Sequence, residues 1–367
     1  MIKKILEITG EPIGTGGQEM FIINVLRNIN MDNLKIDWLT PYFCENDQYK
    51  NDIERRGGQV FCMNLSFSPG KSRLDVVKPL YRFLKNHQYD VVHIHSGSLS
   101  ILAICSFVSR ISEVKEVIVH SHSTGLGKGV KYYILKSLLY PLIRFAPTKF
   151  CACSKAAGEW KFPHSVADRT IILKNGINLD HFRYNRNTQK EIRSKLGVED
   201  STILIGHVGR FSFVKNHEFL IRLMEYLVSM SFDCKMMLIG DGEDLEEIKS
   251  LVKQKYLDDK VYFVGATPCV YEFMQAMDVF VLPSRWEGLP IVGVEAQAAG
   301  VPMLVSDKVS KDMKLAKNVK YLPIDNIEVW ANEITKVRRQ KTDNYSIIKE
   351  AGYDITDTAD TIRGLYL

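Results

Sequence analysis

Short apolar runs recur along the chain, and amphipathic or polar stretches separate them. Residues 2–9 alternate into a first strand. Strand-type runs follow at Ile36–Leu39, Gln59–Met63, Val91–Ile94, Val117–Val119 and Phe150–Ala152. Between them, Glu19–Arg27, Asp75–His87 and Ser98–Ile111 carry apolar residues at helical spacing. Continuous apolar strands alternating with helices predict a parallel sheet covered on both faces. The pattern changes at the Asn175-Gly176 turn signal and the polar run 185–191, where an interdomain linker is expected. It then restarts. Strands are expected at Thr202–Gly209, Lys235–Ile239, Val261–Gly265, Val279–Leu282 and Met303–Val305. Helices are expected at Glu218–Ser229, Glu243–Gln254 (capped by Asp241), from Pro290 to Gly300, and at Tyr353–Leu367. The fold class is therefore α/β, with two Rossmann-like domains. Their expected extents are 1–180 and 181–345, with a helical tail over 346–367.

Composition narrows the class. A chain of 367 residues, 46% hydrophobic and 25% charged, fits an ordinary two-domain globular protein. The seven cysteines lack metal-type spacing and read as reduced thiols, which points to the cytoplasm. Glu7 interrupts the first apolar run, so no secretory leader is expected. No apolar stretch reaches the ~20 residues needed to span a bilayer. The net charge of +5 is uneven, with +7 in residues 1–180 and −2 in residues 181–367. A basic first half can favour an anionic membrane surface or simply scatter solvated charge. The stretch Lys128–Lys149 mixes lysines and arginine with apolar residues, and Pro141 is expected to break it. It reads as a core helix with basic solvent positions, or as a helix resting on a membrane interface.

Candidate chemistry concentrates at the ends of the predicted strands, where parallel sheets bind ligands. The segment Asp278–Gly300 runs strand, loop, helix. The backbone at Gly288, Leu289 and Pro290 opens that helix, and a helix N-terminus favours bound phosphate. Two carboxylates flank it, Glu287 in the loop and Glu295 eight positions later. Carboxylates only accept hydrogen bonds, so their natural targets here are hydroxyls. Phosphate beside polyol suggests a nucleotide sugar. Arg210 and Lys215 bracket the preceding strand–helix loop and suit a pyrophosphate. In the first half, a loop containing Gly10, Gly14, Gly16 and Gly17 joins strand to helix without the dinucleotide fingerprint. Two groups, His93-Ile-His95-Ser96 and His120-Ser-His122-Ser123, end two strands, and strand alternation puts each pair on one face.

The stretch Pro-Ser-Arg-Trp-Glu287-Gly-Leu-Pro-Ile-Val-Gly-Val-Glu295-Ala-Gln-Ala-Ala-Gly-Val-Pro resembles the signature of retaining glycosyltransferase family 4, of GT-B fold. Gly-Arg210-x4-Lys215-Asn, the Asn-Gly-Ile turn at 175 and the glycine loop at Gly16 and Gly17 are similar to the same family's motifs. The resemblance covers nearly the whole chain and is strongest from 203 to 307. It implies two domains facing across a cleft that holds the active site, and a last helix crossing back to the first domain. It implies a nucleotide-sugar donor, with UDP favoured, and a saccharide or polyprenyl-linked acceptor in cell-surface polysaccharide assembly. It places Glu295 on the ribose, Glu287 on the transferred sugar and Thr267 by the nucleobase. It puts Gly16 and Gly17 near donor phosphate and acceptor. His122 aligns with a histidine on the donor sugar or its phosphate, with His120 as the alternative match and His95 nearer the acceptor. No cofactor, metal or nucleic-acid partner is expected, and peripheral attachment to the inner membrane face is compatible with the basic half. A sugar phosphorylase, a nucleotide-sugar epimerase and a non-catalytic nucleotide-sugar-binding subunit are the competing readings.

Overall fold

The computed structural model describes residues 2–14, 16–68, 72–123, 130–338 and 340–367, apart from the side chains of Lys131 and Ala167. The chain divides into two α/β units, Met1–Gly176 with Ile355–Leu367, and Ile177–Asp354.

The first unit holds seven parallel strands: β1 Lys3–Thr9, β2 Leu34–Thr40, β3 Val60–Cys62, β4 Val91–Ser96, β5 Glu116–Ser121, β6 Lys149–Ala152 and β7 Thr170–Ile172. Their spatial order is β3-β2-β1-β4-β5-β6-β7. Strand alternation splits the apolar residues into two cores. Leu6, Ile8, Val92, Ile94, Val117 and Val119 pack with the helix Leu99–Ile111. Ile5, Val91 and Ile118 pack on the other face with the helices Gly17–Asn28 and Ile355–Tyr366.

The second unit repeats the design with β8 Ile203–Val208, β9 Cys234–Ile239, β10 Val261–Gly265, β11 Val279–Leu282, β12 Met303–Ser306 and β13 Val319–Leu322. The order is β10-β9-β8-β11-β12-β13, all parallel. Each sheet reverses its strand order once, between β1 and β4 and between β8 and β11. The crevice beyond the carboxyl ends at such a reversal is where open α/β sheets bind ligands.

Several local expectations are corrected. The polar run 185–191 is not extended linker; it opens the helix Arg186–Lys195. Asn185 caps that helix by accepting from the Asn187 and Thr188 amides, and only Ile192 and Arg193 are buried, so the sequence shows little apolar face. Pro141 does not break its helix, which runs from Val130 to Phe145. That helix is also not a core helix. Val130, Ile134, Leu138 and Phe145 are exposed on it, whereas Leu139, Leu142 and Ile143 pack inward. Lys128, counted in the same stretch, lies outside the described residues. Asp241 caps no helix: it accepts from the Gly242 amide, and the helix begins at Leu245. Pro290 is the residue before the first helical turn, and Ile291 is the first inside it. Strands β7 and β13 were not anticipated.

Candidate active site

In the second unit, the loops after β8 and β11 lie at the strand-order reversal and are tied together. The Arg285 amide donates to the Val214 carbonyl at 2.8 Å, and Asn216 Nδ2 donates to the Pro283 carbonyl at 3.1 Å. Asn216 takes the left-handed conformation (φ +59°) just before the helix His217–Ser229. This turn directs Lys215 toward the β11 loop. Lys215 Nζ donates to Glu287 Oε2 at 2.8 Å, and Ser284 Oγ donates to Glu287 Oε1. The Glu287 carbonyl accepts from the Ser310 amide at 3.0 Å. Glu287 is thus held through both carboxylate oxygens and its backbone. The pair fixes a lysine ammonium on Glu287, the residue just before Gly288, Leu289 and Pro290, which lead into the helix Ile291–Ala298. Gly288 is exposed, with open space where a Cβ would project.

Glu295 sits within that helix, half-buried, and its carboxylate has no hydrogen-bond or ion-pair partner among the described residues. Burial raises its pKa from 4.5 to about 7. It is an acceptor without a donor, suited to ligand hydroxyls. Arg210 is exposed and pairs through Nε with Glu243 Oε2 at 2.8 Å. The loop after β9 packs against the Arg210 loop: Gly240, at φ +142°, leaves no room for a Cβ beneath the Gly209 carbonyl. Thr267 lies beyond β10, at the sheet edge two strands from β8, where its hydroxyl accepts from the Cys269 amide at 3.1 Å.

In the first unit, Gly16 stands at the start of the helix Gly17–Asn28, and both glycines are exposed. Glu19 folds back over Gly16, and burial raises its carboxyl to about 7. The histidines form one cluster. Ile5, Val91 and Ile118 lie on the face covered by Gly17–Asn28 and the last helix, and Glu7, His93, His95, His120 and His122 follow them at two-residue steps on that face. Glu7 Oε2 meets His95 Nε2 at 2.7 Å, and His95 Nδ1 meets His122 Nε2 at 2.9 Å. On the other side, Tyr366 donates to Glu7 Oε1 and its oxygen lies 2.7 Å from His93 Nδ1. His93, His95 and His120 are fully buried; His122 is only partly so. Burial keeps the rings neutral, lowering His95 to about 3 and holding the other three well below the usual histidine range. His93, His95 and His120 each bring one nitrogen within 4.8 Å of the others, close enough to consider a metal ion. Both nitrogens of His95 are already bonded, however, to Glu7 and His122.

The structure therefore brings together Lys215 and Glu287, and His95 and His122, while Arg210 pairs elsewhere. Sequence reasoning missed Glu7, Ser284 and Tyr366, and it singled out His93 only as part of its histidine group. The two-residue period running from Ile5 to Glu7 was the available signal for Glu7.

Two family models match the chain: Glycosyl transferases group 1 over residues 188–354, and Glycosyltransferase Family 4 over residues 15–181. A Bacillus subtilis (strain 168) protein that carries the glycosyltransferase name EpsF is 31% identical across 99% of this chain and 96% of its own length. The chain belongs to glycosyltransferase family 4. It is a glycosyltransferase of GT-B fold. An Escherichia coli UDP-Gal:alpha-D-GlcNAc-diphosphoundecaprenol alpha-1,3-galactosyltransferase is 26% identical to this glycosyltransferase over 84% of the chain and 82% of its own length. Anabaena HepE, solved in complex with UDP, matches the fold with a TM-score of 0.76 at 18% identity, covering 98% of both chains.

Proposed function

We propose that this glycosyltransferase moves a sugar, with retained anomeric configuration, from a UDP-sugar to a saccharide or polyprenyl-linked saccharide in cell-surface polysaccharide assembly. The observation that carries the reading is the Lys215–Glu287 pair at the strand-order reversal of the second sheet. Lys215 and Arg210 receive the diphosphate together with the helix N-terminus at Pro290, a fixed electrostatic arrangement for the leaving group. Glu295 accepts from the ribose hydroxyls, and the loop at Thr267 takes the nucleobase. Glu287 holds Lys215 and touches the transferred sugar. Gly16 and Gly17 leave backbone open near donor phosphate and acceptor, with His122 on the sugar and His95 and His120 buried behind it rather than against the acceptor.

The bond from the anomeric carbon to the leaving phosphate oxygen breaks, and the acceptor oxygen bonds that carbon on the same face. The acceptor's proton passes to the departing phosphate oxygen. Charge on the diphosphate is balanced by protein cations, so no divalent metal is required. The UDP held by HepE and the UDP-Gal and diphosphoundecaprenol in the Escherichia coli relative's name support these donor and acceptor classes. No described helix is long and apolar enough to cross a membrane. The exposed Val130, Ile134, Leu138 and Phe145 stripe supports peripheral contact with a membrane, at its cytoplasmic face. The test is a donor screen across nucleotide sugars, with and without polyprenyl-diphosphate-linked acceptors, reading product anomers by proton NMR. Transfer from a UDP-sugar with an unchanged anomer is expected. Inverted product, or sugar release only with inorganic phosphate, would replace the reading.

A further inference from the structure

We propose that Glu7 and His95 are positioning residues that decide which nitrogen of His122 carries the proton, so that His122 meets its ligand as a hydrogen-bond acceptor through Nδ1. The inference rests on placing His122 against the donor sugar, and it names the chemistry of that contact: a sugar hydroxyl rather than a phosphate oxygen.

The hydrogens along one buried chain of contacts fix the tautomers. Burial raises the Glu7 pKa, and the nearby His93 and the Tyr366 hydroxyl oppose that rise; with the carboxylate ionised it only accepts, so the 2.7 Å contact to Glu7 Oε2 needs a hydrogen on His95 Nε2. A neutral imidazole carries one N–H, which leaves His95 Nδ1 as a lone pair. That lone pair faces His122 Nε2 at 2.9 Å, so the hydrogen there belongs to His122 Nε2. His122 Nδ1 is then an acceptor. The other arm agrees. Tyr366 spends its hydrogen on Glu7 Oε1, so its oxygen accepts from His93 Nδ1–H at 2.7 Å. Each of the four contacts then holds one hydrogen, with none left over and none missing. Tyr366 locks the Glu7 carboxylate from the last helix. The Phe21 ring lies edge-on to His120 and His122, with centroids at 5.0 and 5.2 Å, and limits their rotation. The chain starts at a fully buried carboxylate and ends at the one ring of the four that is not fully buried. Carboxylates bonded to one ring nitrogen fix histidine tautomers in this way elsewhere.

Glu7→Gln inverts the chain while keeping its shape. The amide oxygen still accepts from Tyr366, but its NH2 donates to His95 Nε2. His95 must then hold its proton on Nδ1 and donate to His122 Nε2, and the His122 proton moves to Nδ1. The experiment uses the full-length protein labelled with 15N-histidine and long-range 1H–15N correlation spectra, which distinguish the two tautomers directly. In the wild type, His95 and His122 should both read Nε2–H. In Glu7→Gln both should read Nδ1–H, while Tyr366→Phe should keep the wild-type tautomers. The donor kcat/KM of Glu7→Gln should fall about ten-fold, the worth of one hydrogen bond, at a melting temperature close to wild type. Wild-type His122 carrying Nδ1–H overturns the inference, and this holds even if Glu7→Gln fails to fold. So does a Glu7→Gln spectrum with unchanged tautomers. Added zinc that shifts His93, His95 and His120 together would also overturn it in favour of a metal centre. Inverted tautomers with unchanged kcat/KM would leave the proton chain standing and remove His122 from the donor site.

Discussion

Replacing Glu287 by glutamine takes the charge from the group that holds Lys215. The pair is 2.8 Å long, and the lysine and glutamate side chains are only 17% and 14% exposed, so water screens it weakly. A hydrogen bond between charged groups in such a setting is worth ~1.5–3 kcal/mol, or roughly 10- to 150-fold in a rate or binding constant. Glutamine keeps the shape and can still accept from Ser284, so the loop should stay in place. What changes is the direction of the Lys215 ammonium and the proposed contact to the transferred sugar. Both matter most when charge builds on the leaving phosphate, so the loss should fall on kcat. Glu295→Gln should behave differently. Its proposed ribose contact would exist before and during reaction, so its loss should appear mainly in KM for the donor. The assay is steady-state kinetics with UDP-sugar for both variants, with melting temperature as a control for folding. Full kcat in Glu287→Gln together with abolished kcat in Glu295→Gln at saturating donor would reverse the two roles. Wild-type kinetics in both would remove this loop and helix from the active site.

Further outcomes follow from the same geometry. Burial lifts Glu295 from 4.5 to about 7, and only its ionised form accepts from two hydroxyls, so UDP affinity should strengthen as pH rises through about 7; calorimetric titration should lose this dependence in Glu295→Gln, and a flat wild-type profile would refute it. Arg193 and Asp278 form a buried pair at 2.9 Å, with Arg193 also bonding the Ala276, Glu199 and Thr202 carbonyls, so Asp278→Ala should cost ~3–5 kcal/mol in denaturant unfolding; a cost under ~1 kcal/mol would show the pair to be dispensable. Leu138→Glu, on the exposed stripe, should reduce sedimentation with anionic liposomes and leave melting temperature unchanged; equal sedimentation would place membrane contact elsewhere or nowhere.

The alternation of apolar strands and helices was legible because parallel strands are buried on both faces, and an unbroken apolar run such as Val279–Leu282 has few other uses. Strands β7 and β13 escaped for the opposite reason. They are short and partly exposed, and Thr170–Ile172 carries no buried residue at all. The helix Arg186–Lys195 escaped because its buried side includes an arginine, and an arginine that neutralises a distant aspartate looks like a solvent residue in sequence. The family motifs made Glu287, Lys215 and the histidines visible as candidates. Their pairing was not visible, since Lys215 and Glu287 lie 72 positions apart and meet only through sheet order. Glu7 was read only as an interruption in an apolar strand. Its place two residues after Ile5, on the face that also carries the histidines, gives that interruption its use. The exposed side of Val130–Phe145 could not be told from its buried side, because both are apolar.

In the proposed mechanism, the cations at the strand-order reversal of the second unit activate a nucleotide-sugar donor without a metal. UDP release from UDP-sugars should be measured in EDTA with acceptor present, for the wild type and for Lys215→Ala at matched melting temperature. The wild type should turn over at least one UDP-sugar in EDTA, and Lys215→Ala should lose roughly 10- to 150-fold of that rate, the same charged hydrogen-bond range. A wild type that turns over donor only after Mn²⁺ is restored, or a Lys215→Ala variant as fast as the wild type, would contradict it.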